Sequence, residues 1–204
     1  RYQFEISSRV NQIDALVKYL KEHKRDFFVT YNGISFDVQV LQFISNKTEM
    51  WLDLDFSWQQ MVKEIYLFAQ KRIDDANYKL QPPYKEQYLE YPQIDLMSLL
   101  HLNNEAKRSS LKWCEFSMDM NIEELPIDFR KETLSQEEMD STIEYCWNDV
   151  DATYLLYKHV IGDTEHPEYK GKDKVQLRLD LMDEYKLPIT AINWNDVKIG
   201  AELN

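Results

Sequence analysis

The chain has 204 residues, the length of one domain or of one domain with an appendage. Hydrophobic residues make up 44% of the sequence and aromatic residues 13%, so the composition excludes a disordered or collagen-like chain. The formal net charge of −12 argues against a general surface for binding polyanions. It does not exclude an enzyme whose carboxylates recruit divalent cations and whose contact with nucleic acid is local.

The cysteine count and the hydropathy pattern predict the compartment. Two cysteines, Cys114 and Cys146, are too few for a disulfide-rich secreted domain. No apolar run reaches the roughly 18 residues of a membrane span, and no secretory signal is recognisable. We therefore expect a cytoplasmic protein without a membrane partner. Because the sequence starts at Arg1 rather than Met and stops within a helical pattern, we also expect it to be a segment of a longer polypeptide.

Helix and strand patterns alternate in the first part of the chain. Asn11 begins a helix whose apolar residues recur at helical spacing, namely Ile13, Leu16, Val17 and Leu20. Residues 27–31 are aromatic and β-branched, which predicts a buried strand. Asn32 and Gly33 predict a turn, and residues 36–44 return to a helical pattern. This order of elements predicts an α/β fold.

Later segments predict the domain organisation. Residues 1–162 are interpreted as one domain in which residues 46–92 form an inserted helical subdomain. Residues 94–97 resemble a second buried strand or its end. Residues 163–173 are polar and predict a linker or loop, and residues 174–204 predict a helical segment that begins a further region.

The clearest helix signal begins at Ser135. Ser135 and Glu138 have the spacing of a capping box, in which each side chain satisfies a free backbone N–H at the start of a helix. The helix is expected to continue to about His159 with one apolar face. That face is predicted to include Met139, Ile143, Cys146, Val150 and Tyr157.

The first candidate site follows the first strand, in the sequence Tyr31-Asn-Gly-Ile-Ser-Phe-Asp37. Ligands of α/β proteins bind at the carboxyl ends of strands, so an acid at Asp37 would lie at the rim of the sheet. The helix that follows would hold this carboxylate on a rigid element, as a metal site requires. The alternative is that Asp37 only caps the helix and Asn32-Gly33 is an ordinary turn.

The second candidate site lies within the capped helix. Tyr145 and Asp149 differ by four positions, which places them on one helix face, one turn apart. Asn148 is their neighbour on the polar side. A phenol one turn from a carboxylate could place a water molecule beside a cation held by that carboxylate. The alternative is a solvated helix face with an ordinary side-chain contact.

Together the two clusters resemble the second and third motifs of the DEDDy 3′–5′ exonucleases, the family of the proofreading domains of DNA polymerases. The similarity consists of Asn-x-x-x-Phe-Asp after a strand and Tyr-x-x-x-Asp in a later helix. Between them, residues 94–96 and residues 110–112 resemble the intervening strand and helix of that family. The spacing is closer to family B and phage-type polymerases than to family A.

The resemblance implies a fold and a function. The fold would be RNase H-like, with a mixed sheet flanked by helices and a helical insertion. The function would be metal-dependent removal of nucleotides from the 3′ end of single-stranded DNA by the proofreading module of a viral or phage-like DNA polymerase. A polymerase domain would be a partner in the same or another chain, in the cytoplasm of a bacterium or of a phage-infected host.

The resemblance also implies roles for individual residues. Asp149 would bind the catalytic metal and Asp37 would complete the metal site, with two Mg²⁺ or Mn²⁺ ions expected. Tyr145 would orient the attacking water. The nucleic-acid contacts would come from Asn32, Phe36 and Asn148. Basic residues such as Lys112 could contact a DNA backbone, although a solvated helix face is the alternative.

One departure concerns the first motif of the family, an Asp-x-Glu on the first strand. The nearest candidate here is Glu5, which is followed by Ser7 rather than by a second acid. We interpret Glu5 as unrelated to this motif and expect the motif before Arg1, so that residues 1–204 alone would show little activity. The alternative is a catalytically inactive, exonuclease-like module that binds nucleic acid or another protein.

Overall fold

The computed structural model describes residues 2–77, 86–100, 109–120 and 134–203. The chain divides into two compact units, Arg1–Asp95 and Leu96–Asn204. Each unit is described by itself below. The predicted subdomain 46–92, the linker 163–173 and the helical segment 174–204 stay predictions.

The first unit combines three long helices with two short strands. In chain order its elements are α1 (Ile13–Glu22), β1 (Phe28–Thr30), α2 (Asp37–Asp53), α3 (Trp58–Asn77), a 3₁₀ turn (Glu86–Tyr88) and β2 (Gln93–Asp95). The strands pair in parallel, with Phe28 opposite Gln93 and Thr30 opposite Asp95. Both predicted strands are therefore present in part. β1 is shorter than residues 27–31 and only partly buried, and Leu96 and Met97 of the second predicted strand lie in the helix that follows β2.

The α/β class is confirmed at this level, because the described residues are mostly helical and contain a parallel pair of strands. In the described ranges the sheet has two strands, both parallel, so the mixed sheet expected from the resemblance is not observed there. The helix predicted over residues 36–44 begins one residue later and is much longer, since α2 ends at Asp53.

The core of the first unit lies between its helices. The apolar face of α1 buries Ile13, Val17 and Leu20, as its spacing predicted. Ile13 and Val17 belong to one buried cluster with residues of α2 and α3, which include Ile44, Trp51 and Met61. The Trp51 indole is fully buried and donates from Nε1 to Oε2 of Glu64 at 2.9 Å, so its one polar atom is satisfied inside the core.

The second unit is built around one long helix. Its elements are α4 (Leu96–Leu99), α5 (Leu111–Ser117), α6 (Gln136–Val160), α7 (Lys174–Glu184), a 3₁₀ segment (Ile189–Asn193) and α8 (Asp196–Glu202). Both α4 and α5 contact α6. Helix α6 has 25 residues and begins with the predicted capping box, in which Ser135 Oγ accepts from Glu138 N and Glu138 Oε2 accepts from Ser135 N at 2.8 Å.

The predicted apolar face of α6 is wrong beyond its first turns. Met139 is buried, but Cys146 and Val150 are exposed. The second half instead buries Ala152, Leu156 and Val160. These three recur every four residues, and the face they form is rotated from the face of Met139, because the neighbours of α6 change along its length. In the described ranges, no helix combines the length and the apolar character that a membrane crossing requires.

Gly33 offers a test of the packing at the end of β1. A Cβ placed on Gly33 would lie closer than 3.0 Å to three atoms of the Thr30 side chain. We expect Gly33→Ala to lower the free energy of unfolding by about 1–3 kcal/mol, because the short, branched threonine cannot move aside. Chemical denaturation measures this change. Gly200→Ala is the control, since a Cβ there meets nothing within 4 Å, and a loss of stability equal to that of Gly33→Ala would contradict the steric explanation.

Candidate functional site

The turn after β1 positions the first group of predicted site residues. Asn32 has a left-handed backbone with φ of 63°, a conformation that asparagine tolerates better than most residues. The Gly33 carbonyl accepts from Phe36 N at 3.2 Å and from Val38 N at 3.1 Å. The turn thus leads directly into α2.

Asp37 is the first residue of α2, and its side chain is exposed. The N-cap residue is Phe36, which makes no side-chain capping bond. Asp37 therefore occupies the first helical position, where a carboxylate is favourable at the positive end of the helix, so a purely structural role at the start of α2 remains the alternative.

Asp95 is a residue of this region that sequence reasoning missed. Its carboxylate is 1% exposed and accepts backbone N–H groups from both sides of the turn, from Asn32 at 3.0 Å and from Ile34 at 3.2 Å. Gln39 Nε2 donates to the Ile34 carbonyl at 2.8 Å. The available signal was an acid at the end of an apolar strand, a pattern that by itself indicates only the strand.

The second group of predicted site residues lies near the middle of α6. Tyr145 and Asp149 are both partly buried. Burial raises the pKa of the Asp149 carboxyl above its ordinary value, and the positive charge of Lys112 opposes this rise. Burial, with a contribution from the charge of Asp149, raises the pKa of the Tyr145 phenol. The two side chains therefore influence each other, as residues one turn apart should.

Lys112 is the source of positive charge that acts on this pair. It lies on α5, which packs against α6, and its charge lowers the pKa of both Tyr145 and Asp149. Glu115, also on α5, is buried and raises the pKa of Tyr145. The arrangement consists of a phenol, two carboxyl groups and one lysine side chain. The phenol and the Asp149 carboxyl group can hold a water molecule by hydrogen bonds.

The side-chain amide nitrogen of Asn148, in the same part of α6, is a buried hydrogen-bond donor. This nitrogen has no hydrogen-bond partner within the part of the chain that the structure describes. A buried donor without a partner costs about 1–3 kcal/mol, so a ligand that accepts from it would gain that amount.

The predicted site residues divide equally between the two units. Asn32, Phe36 and Asp37 lie in the first unit, on the turn and the first residue of α2. The other three, Tyr145, Asn148 and Asp149, lie in the second unit on α6. Their assignment to one catalytic centre stays a prediction.

The donor atoms suit a hard divalent cation only in part. Carboxylate oxygens such as those of Asp37 and Asp149 are the ligands that Mg²⁺ and Mn²⁺ prefer. Residues 2–77, 86–100, 109–120 and 134–203 contain no group of three or more His, Cys, Asp or Glu that could hold a metal. The Glu5 carboxylate is engaged by Arg9 at 2.8 and 3.0 Å and by the Ser7 hydroxyl, and these bonds lower its pKa.

Searches of protein-family models, of curated proteins and of solved structures found no match to this chain.

The electrostatic role of Lys112 can be tested by titration. Lys112→Met removes a charge that lowers the pKa of Asp149, so we expect that pKa to rise further and the carboxyl to stay protonated to a higher pH. Because the pKa in the folded protein is already raised, ionisation of Asp149 disfavours folding, and stability falls as pH rises through this pKa. NMR titration of the side-chain carboxyl measures the shift. Lys158→Met is the control, because the ammonium group of Lys158 pairs with Asp163 at 3.0 Å, and an equal shift in that variant would contradict the assignment.

Proposed function

We propose that this protein is a metal-dependent 3′–5′ exonuclease with an RNase H-like fold, acting as the proofreading module of a viral or phage-like DNA polymerase. The observation that carries the proposal is the placement of Tyr145 and Asp149, which lie one turn apart and partly buried on α6, beside the packed helix that carries Lys112. The similarity of the sequence around Asp37 and Asp149 to the exonuclease motifs supplies the reaction class.

In this proposal Asp149 and Asp37 are metal ligands. Two bound Mg²⁺ or Mn²⁺ ions would supply activation of water and stabilisation of the leaving 3′ oxygen. Partial burial of Asp149 supports its role, because a carboxylate that has lost part of its hydration gains more from a nearby cation than an exposed one does. The remaining ligands of a two-ion site have no assigned residues in the described ranges.

Tyr145 would orient the attacking water through its hydroxyl group. Since burial raises the pKa of this phenol above its ordinary value, the hydroxyl keeps its proton at neutral pH and can both donate and accept a hydrogen bond. Lys112 would contribute positive charge beside an arriving phosphodiester, which offsets locally the negative charge of the whole chain.

The contacts to the DNA end would come from both groups of residues. Asn32 and Phe36 would contact the terminal nucleotides by hydrogen bonding and by packing. Asn148 would contribute a further polar contact, as the resemblance implies. These contacts do not read base edges, so substrate choice would depend on access to a single-stranded 3′ end.

The central test measures shortening of 5′-labelled single-stranded DNA with Mg²⁺ or Mn²⁺, using the natural full-length polypeptide that carries this sequence. Asp149→Asn should reduce the rate by about 100-fold or more, as expected when a group that stabilises transition-state charge is lost. The matched control is Glu144→Gln, which also neutralises one acid on α6 but at an exposed position. Equal rates for Asp149→Asn and the parent protein would refute the assignment.

The same assay distinguishes the exonuclease from the alternative, a catalytically inactive module that binds nucleic acid. If the parent protein binds the labelled strand without shortening it under either metal, the chain is a non-catalytic nucleic-acid-binding module. If it neither binds nor shortens the strand, both nucleic-acid functions are wrong.

Tyr145→Phe tests the role of the phenol. The substitution removes only the hydroxyl, so we expect kcat to fall by about 100-fold with little change in KM. Because burial raises the pKa of Tyr145, the parent enzyme should not lose activity through ionisation of this group near neutral pH. Tyr157→Phe makes the same chemical change elsewhere on α6. Equal effects of the two substitutions would show that the Tyr145 hydroxyl has no specific role.

A further inference from the structure

The strand pairing and two hydrogen bonds fix the position of the Asp95 side chain. It is the last residue of β2, and it pairs with Thr30, the last residue of β1. Its carboxylate therefore lies beside the chain as it leaves β1. Its two oxygens divide between two backbone donors, with Oδ1 accepting from Asn32 N at 3.0 Å and Oδ2 from Ile34 N at 3.2 Å.

The turn and the Asp95 carboxylate satisfy each other's hydrogen bonds. Backbone N–H groups that converge around a left-handed residue create a concave site for an anion. Asn32 is left-handed here, and the anion that fills this site is the side chain of Asp95. A carboxylate that is 1% exposed has lost nearly all its hydration, and its hydrogen bonds to the turn replace those to water.

The same bonds determine how the chain enters α2. The turn between them contains Gly33, whose carbonyl accepts from Phe36 N and Val38 N. A rotation of the peptides around Asn32 would therefore shift the first turn of α2, and with it Asp37. Gln39 holds the Ile34 carbonyl from the other side, so the turn is fixed through both its donors and its acceptors.

We propose that Asp95 is a positioning residue: its carboxylate fixes the segment from Asn32 to Asp37 in the conformation that presents Asn32 and Phe36 to a nucleic-acid end and Asp37 to a cation. The roles of these three side chains rest on the proposed function, whereas the anchoring of the turn by Asp95 does not.

Asp95→Asn tests the inference with little change in side-chain size. The amide keeps one oxygen acceptor, but its NH₂ group faces the second N–H, so one of the two bonds is lost. We expect amide hydrogen exchange at Asn32 or Ile34 to become about tenfold faster or more, the scale of losing a bond to a charged acceptor. The exchange of Val29, in the adjoining strand, should change far less.

The matched control is Gln93→Leu in the same strand. Gln93 is also buried and bonds to the Thr30 hydroxyl at 3.1 Å, so its loss perturbs the strand pair without removing the bonds of Asp95 to the turn. The backbone amides of Asn32 and Ile34 should exchange as slowly in this variant as in the parent protein. Unchanged exchange in Asp95→Asn, or an equal loss in Gln93→Leu, would overturn the inference.

A second readout connects the anchor to the proposed function. In the nuclease assay, Asp95→Asn should raise KM for single-stranded DNA by about tenfold, whereas Gln93→Leu should leave KM unchanged even if it lowers thermal stability. An unchanged KM for Asp95→Asn with faster exchange would overturn the positioning role. If the parent protein neither binds nor shortens DNA, the proposed function fails, and the exchange measurement alone decides whether Asp95 anchors the turn.

Discussion

A single buried carboxyl group organises the first unit. The Asp95 carboxylate is almost completely removed from water, and such a group is tolerated only when hydrogen bonds replace its hydration. The N–H groups of Asn32 and Ile34 provide that replacement because the parallel pairing of β1 and β2 brings the two strand ends together. The short sheet, the left-handed turn and the start of α2 therefore depend on one another. A movement of the carboxylate would therefore act first on the turn and on the start of α2.

In the second unit the site residues are only partly buried, unlike Asp95 in the first. Tyr145 and Asp149 are not sealed within a core, and burial shifts both groups toward their protonated forms. The charge of Lys112 opposes that shift without removing it. A carboxylate held in this state is less stable than a fully hydrated one, and residues kept at such a disadvantage are common at functional sites. The same property makes Asp149 responsive to any cation that approaches it.

Local signals in the sequence were sufficient for much of the fold. The turn at Asn32 and the capping box at Ser135 depend on neighbouring residues and are present as predicted. The strand predicted at residues 27–31 is present over Phe28–Thr30 and is only partly buried. The predicted apolar face of α6 was wrong at Val150, because the neighbours that cover a long helix change along it. The spacing of apolar residues along the sequence does not show where the neighbours of a helix change.

The roles of the candidate site residues stay predictions, and the sequence pointed to only some of the residues that act on them. Sequence similarity selected Asp37 and Asp149, whose motifs are local. The sequence did not identify Asp95 and left the role of Lys112 undecided. Both residues act on residues that are far from them along the chain. Asp95 bonds to a turn more than sixty residues earlier, and Lys112 acts from one helix on another. Such pairs become visible only when the fold brings them together.

The length of α6 has a mechanical consequence. A helix of 25 residues extends for roughly 37 Å, and helices lose structure first at their ends. Tyr145 and Asp149 are each at least two turns from either end, so thermal opening of the termini does not reach them. The spacing between phenol and carboxylate is thus kept constant by the backbone itself, and any adjustment to an arriving ligand has to come from the surrounding elements.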